Sequence, residues 1–141
     1  MPTVTETGAT LALIIATLKA DGTLTAAAPG GVHHLLAPEG TPTPFVTVAL
    51  VSAPDVMTQN KTRVYNSNLW LIKGVAEATK GVALDAIAAR IDALFGRFTG
   101  QDANALYIEG YREEQVTYPE VIDRAIWIHH GARVRLGTQL K

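Results

Sequence analysis

The stretch VIDRAIWIHHGARVRL, residues 121–136, decides the fold class, because its residues sort by parity. Ile122, Ile126, Ile128, Ala132, Val134 and Leu136 share one side, and Val121, Asp123, Trp127, His129, Arg133 and Arg135 share the other. Side chains alternate across a strand, so the pattern predicts a strand with one apolar and one polar face. Upstream, ALYIEGYREEQVTY at 105–118 reads as its partner strand, polar on both faces after Ile108. TYPEV at 117–121 then reads as the turn, since proline fixes φ and removes an amide donor.

Further upstream the period changes. Leu84, Ile87, Ala88, Ile91, Leu94, Phe95 and Phe98 form one helical stripe over four turns, with Asp85, Arg90, Asp92 and Arg97 off it. Gly100 is expected to stop this helix. Leu11, Ile14, Ile15 and Leu18 repeat the spacing in an N-terminal helix, with Thr7 as its N-cap and Asp21-Gly22 as its end. Between the helices, VHHLLAP (32–38) reads as a short extended segment, and PEGTPTP (38–44), with three prolines, as a turn or linker. FVTVALVSA (45–53) is β-branched and apolar on both faces, which suits a covered central strand. PDVMTQNK (54–61) is expected to be a hairpin loop, and 62–77 a long strand whose polar first half projects into solvent or toward a partner.

Short links between strands favour antiparallel pairing. The expected fold is therefore one α+β domain spanning 1–141: an antiparallel sheet of four to five strands with two helices packed on one face.

Composition narrows the function. A chain of 141 residues that is 48% hydrophobic and 18% charged should fold around a single core. Its net charge of −1 supplies no basic stripe for nucleic acid, and cysteine is absent, which excludes thiol nucleophiles and thiolate metal sites. The apolar run at 11–18 is far shorter than the ~20 residues of a membrane span, and residues 1–8 lack the basic start of a secretory signal. A soluble protein folded where it is made is expected.

The chemistry-bearing residues are sparse. All four histidines lie in two doublets, His33-His34 and His129-His130. Neighbours on a strand point to opposite faces, so each doublet offers one ligand to a given site. Helical H-E-x-x-H spacing is missing, and strand filling is the favoured reading over a metal site. Ser52 and Ser67 are outside any nucleophile elbow, and Pro29-Gly30-Gly31 lacks the lysine and spacing of a phosphate loop. Arg112-Glu113-Glu114, with Glu109, Glu120 and Asp123, is the densest charged stretch and reads as a strand face or a subunit contact. Trp127 shares its row with Asp123, His129, Arg133 and Arg135; an interface and a site under a loop are equally good readings. No catalytic residue, cofactor or metal is assigned.

The order of these segments resembles the phage tail terminator, or tail completion, family. LKADGTL (18–24) followed by GGVHHLLAPEGTPTPFVTVAL (30–50) is similar to its opening, where a Gly-Val-aromatic segment leads through a proline-bearing linker into a Pro-aromatic-Val strand. LDAIAARIDALF (84–95) and IEGYREEQVTYPEVIDRAIWIHH (108–130) fall where that family has its helix and final hairpin. The resemblance covers nearly the whole chain; His33-His34 stand where an aromatic is usual. It implies a non-enzymatic virion protein of the tail-neck region, assembled in the host cytoplasm. Such a protein forms a ring, typically of six copies, that caps the tail tube, ends its growth and offers a docking surface to the head connector. Its partners would be itself, the tail-tube protein and connector or neck proteins, with no sequence-specific nucleic acid and no membrane.

The residues expected at such contacts are Asp55, Met57, Gln59, Lys61, Arg63, Tyr65, Arg112, Glu113, Glu114, Trp127, Arg133 and Arg135, with Arg63, Arg112, Glu113 and Glu114 in charge-paired contacts. Three alternatives remain: another head-tail connector or neck subunit, a metal-dependent enzyme using one histidine of each doublet, and a binding module with a pocket between helices and sheet.

Overall fold

The computed structural model describes residues 5–101 and 107–139. Helices α1 (Glu6–Ala20) and α2 (Gly22–Ala27) precede strands β1 (Val32–His34), β2 (Phe45–Ser52), β3 (Asp55–Met57) and β4 (Arg63–Glu77). A 3₁₀ turn leads into α3 (Gly81–Phe95), and β5 (Arg97–Gln101), β6 (Tyr107–Ile122) and β7 (Ala125–Gln139) follow. The strands form one sheet in the order β1-β2-β4-β7-β6-β5, with β3 paired beside β2's end of β4.

This corrects the expected sheet of four to five antiparallel strands with two helices. The described residues hold seven strands in a curled, mixed half-barrel, and 30% of them are helical. β1 is parallel to β2, with Val32 opposite Val46, because the 35–44 loop carries the chain back before β2 begins. The other pairings are antiparallel.

The core explains why the parity pattern holds from Ile128 to Leu136; Ile122 lies across the turn on β6 and lines the same groove as Trp127, and Ile126 is exposed. Even positions of β4 and β7 (Trp70, Ile72 and Ala76; Ala132, Val134 and Leu136) face the helices and meet Ile14, Leu18, Leu84, Ile87, Ile91 and Phe95. Each fully buried Ile or Leu there contributes about 1.5–3 kcal/mol of transfer free energy. Gly74 lies in the same row, where an added Cβ would sit 3.0 Å from Leu84 and Ile87. That is how α3 approaches the sheet so closely.

Of four local expectations, three are overturned and one, the end of α1 at Asp21-Gly22, holds with a second role added. The N-cap of α1 is Thr5, whose hydroxyl accepts from Gly8 at 3.0 Å, and Thr7 lies inside the helix. Asp21 ends α1 but also caps α2, accepting from the Leu24 amide at 2.8 Å while Arg90 binds its carboxylate. Helix α3 stops at Phe95, and Phe98 and Gly100 belong to β5. Phe98 fits the helical spacing only by coincidence: its ring packs 5.3 Å from Phe95 across the strand connection.

The fourth is the hairpin turn. β6 runs straight through 117–121, and the chain reverses at Asp123 and Arg124, both with positive φ (49° and 67°). That is a two-residue turn of the kind whose twist matches its strands. Pro119 is tolerated because β6 is an edge here: among the described residues no strand pairs with its outer side beyond Arg112.

The polar first half of β4 extends past β7 only over Arg63, Val64 and Tyr65, which are exposed; the rest does not project. Asn66 and Asn68 are buried on the helix side, in a chain of hydrogen bonds to Asp55, Trp70 and Thr138. Thr138 in turn meets Thr10 of α1 at 2.7 Å.

Candidate functional site

The sheet face opposite the helices carries the odd positions of β4 and β7 and is partly open: Arg133 is exposed, while Leu69, Val75 and His129 are buried, the last two beside the 35–41 segment. Across its centre runs a ladder of ion pairs, Glu113–Arg135 at 2.5 Å and Glu114–Arg133 at 3.0 Å. A bulge in β6 between Arg112 and Glu114 makes this possible, since it inserts one residue against β7 and brings two consecutive glutamates to one side. Arg135 also donates to Ser67 at 3.1 Å. Exposed pairs of this kind contribute little to stability, so they order side chains more than they hold the fold.

On either side of the ladder lies a groove. One, of about 450 Å³, is lined by Tyr65, Ser67, Tyr111 and Arg135. The other, of about 390 Å³, lies toward the β6–β7 turn and is walled by Leu35, Leu36, Phe45, Val75, Ile122 and Trp127, with Lys73, Glu120 and His129 among its polar residues. His129 is only 8% exposed and stacks on Tyr118 at 4.5 Å between ring centres. Lys73 donates to the Tyr118 hydroxyl and lies 5.0 Å from its ring centre.

Neither ring nitrogen of His129 has a hydrogen-bond partner within the chain. Burial pushes its pKa down, the Lys73 charge adds to this, and Glu120 opposes it. Glu120 stands 3.5 Å from Nε2, too long for a good hydrogen bond.

The residues expected at contacts fall into four places. Asp55, Met57, Gln59, Lys61, Arg63 and Tyr65 gather at the β3–β4 hairpin, where Asp55 binds Asn66 and Arg63 pairs with Glu6 at 2.7 Å. Glu113, Glu114, Arg133 and Arg135 form the ladder, and Trp127 lies in the second groove. Arg112 points to the helix side and pairs with Asp92 at 3.2 Å. The four charges expected to meet partner proteins thus already have partners within the chain.

The sequence reading missed Leu35, Leu36, Phe45, Lys73 and Tyr118. Two signals were there: a lone lysine inside the apolar half of β4, and adjacent leucines that alternation cannot both bury.

The histidine doublets do not converge. They lie on β1 and β7 with β2 and β4 between, roughly 14 Å apart at about 4.8 Å per strand step. His33 bonds the Gly30 carbonyl oxygen at 2.7 Å and His130 meets Gln115 at 2.9 Å. Among the described residues no three His, Asp or Glu side chains come together as metal ligands. Between α3 and the sheet lies a cleft of about 130 Å³.

No family model and no curated protein matches the sequence. Solved structures do match the fold. A chain from a structure titled as the virion of a native gene transfer agent particle aligns with a TM-score of 0.66 at 20% identity, over 96% of this chain and 99% of that one. A second solved chain aligns with a TM-score of 0.60 at 16% identity, over 93% and 96%. At these identities the likeness establishes a shared fold.

Proposed function

We propose that this chain is a structural, non-enzymatic virion protein of the tail-neck region, forming a ring that caps the tail tube, ends its growth and presents a docking surface to the head connector. The observation that carries this reading is the end-to-end match of its fold to a component of a phage-like particle, 96% of one chain on 99% of the other. The open sheet face supports it physically. It carries an ordered ladder of charges and two grooves, which suits a surface that is covered by neighbours. A head-to-tail contact closes into a ring when its rotation divides a full turn. The ring is read as six copies, assembled in the host cytoplasm, with itself, the tail-tube protein and connector proteins as partners.

The test is a tube-growth assay. Purified chain added to polymerising tail-tube protein is expected to sit at tube ends in electron micrographs and to stop elongation. Binding to connector protein with no effect on tubes would instead identify a neck subunit. Indifference to both would refute the reading.

A further inference from the structure

We propose that the groove at the hairpin end of the open face receives the β3–β4 turn of a second copy, joining copies head to tail. This rests on the ring reading and names its contact. The first observation is His129, nine-tenths buried at the groove, with both ring nitrogens lacking a partner in the chain. Both nitrogens are closed off in the free chain, so a partner reaches them only as the side chains of the groove part; with one ring proton an imidazole offers one donor and one acceptor, and a primary amide carries both. Gln59 and Asn60, exposed at the tip of the β3–β4 turn, are primary amides.

The second is shape and polarity. Leu36, 83% exposed, stands with Phe45 and Trp127 around a groove of about 390 Å³, and Met57 beside the turn is itself 55% exposed. The third is charge. Among the described residues neither Lys61 of the turn nor Glu39 of the groove has an ion-pair partner in its own chain, and Glu120 stands at the rim. The fourth is placement. Turn and groove lie at opposite ends of β4, about 40 Å apart along the strand from Arg63 to Val75, so one copy cannot satisfy itself. Simple strand addition at the β6 edge is interrupted by Pro119, which has no amide to donate.

The chain has no cysteine, so thiol cross-linking reports single positions. Gln59→Cys and Glu39→Cys, both at exposed sites, are treated with a short bis-maleimide, with and without tail-tube protein. The mixture of the two variants should give covalent dimers at least tenfold above either alone, and the double variant a ladder that stops at a closed ring. Dimers from Gln59→Cys alone would mean a self-facing contact and overturn the proposal. Rings of the unsubstituted chain with no mixed cross-links would overturn the proposal while leaving the ring reading intact. If the unsubstituted chain forms no ring, with or without tube, both fall.

Discussion

Replacing Asn68 by leucine tests whether the polar half of β4 is structural. Asn68 is fully buried; its Nδ2 donates to Asn66 Oδ1 at 2.8 Å and to Thr138 Oγ1 at 3.2 Å, and its Oδ1 accepts from Trp70 Nε1 at 2.7 Å. Leucine has nearly the same shape but none of these bonds. It strands the Trp70 N–H in the core and removes the donor from Asn66. Each buried group left unsatisfied costs about 1–3 kcal/mol, and the apolar side chain recovers part of that, so a net loss of about 2–4 kcal/mol follows. For a chain of this size that is a fall in Tm of about 10 °C. Urea and thermal melts measure it. Adding Trp70→Phe removes the stranded donor, so the double variant should lose about 1–2 kcal/mol less than the two singles summed. If Asn68→Leu stays within about 0.5 kcal/mol of the parent, or the pair is additive, the network does not hold the fold as argued.

Other consequences follow from single positions. An added Cβ at Gly131 would sit 2.1 Å from the Ile72 carbonyl oxygen, so Gly131→Ala should lower stability by about 2 kcal/mol or more in the same melts. Arg124 sits at φ 67°, where glycine is at ease, so Arg124→Gly should leave stability equal or raise it by up to about 1 kcal/mol. The His129 pKa is depressed in the folded chain, so the unfolded chain takes up its proton first. Its contribution to stability is therefore intact above about pH 6.5 and is lost as the pH falls below that value. His129→Gln should remove this share of the acid dependence, read as the difference between two urea series from pH 7 to about pH 5.

The parts of the fold that declare themselves in the sequence are those where one period persists. The even row of β7 is buried from Ala132 to Thr138, and α3 buries Leu84, Ile87, Ile91 and Phe95 as its stripe required. Short or exceptional elements leave no such trace. β1 and β3 have three residues each, too few for a period to register. The hairpin turn was misplaced because Asp-Arg carries no glycine signal whereas Tyr-Pro-Glu does look like a turn. Asn66 and Asn68 read as solvent-facing because polarity alone cannot tell a solvated residue from one bonded inside a core. The site was legible in part: Trp127 and the arginines of its row do lie on the open face. Lys73, Tyr118 and Phe45 joined them only through strand pairings such as Phe45–Val75 and Lys73–Gly131, 30 and 58 residues apart in sequence.

The account stands or falls on assembly, and the particle mass distribution of the chain, alone and with tail-tube protein, measures that directly. It predicts a discrete closed species, about 90 kDa for six copies of the 15.0 kDa chain, present in solution or appearing on tube ends. A chain that remains at 15.0 kDa in both samples at high concentration would contradict it.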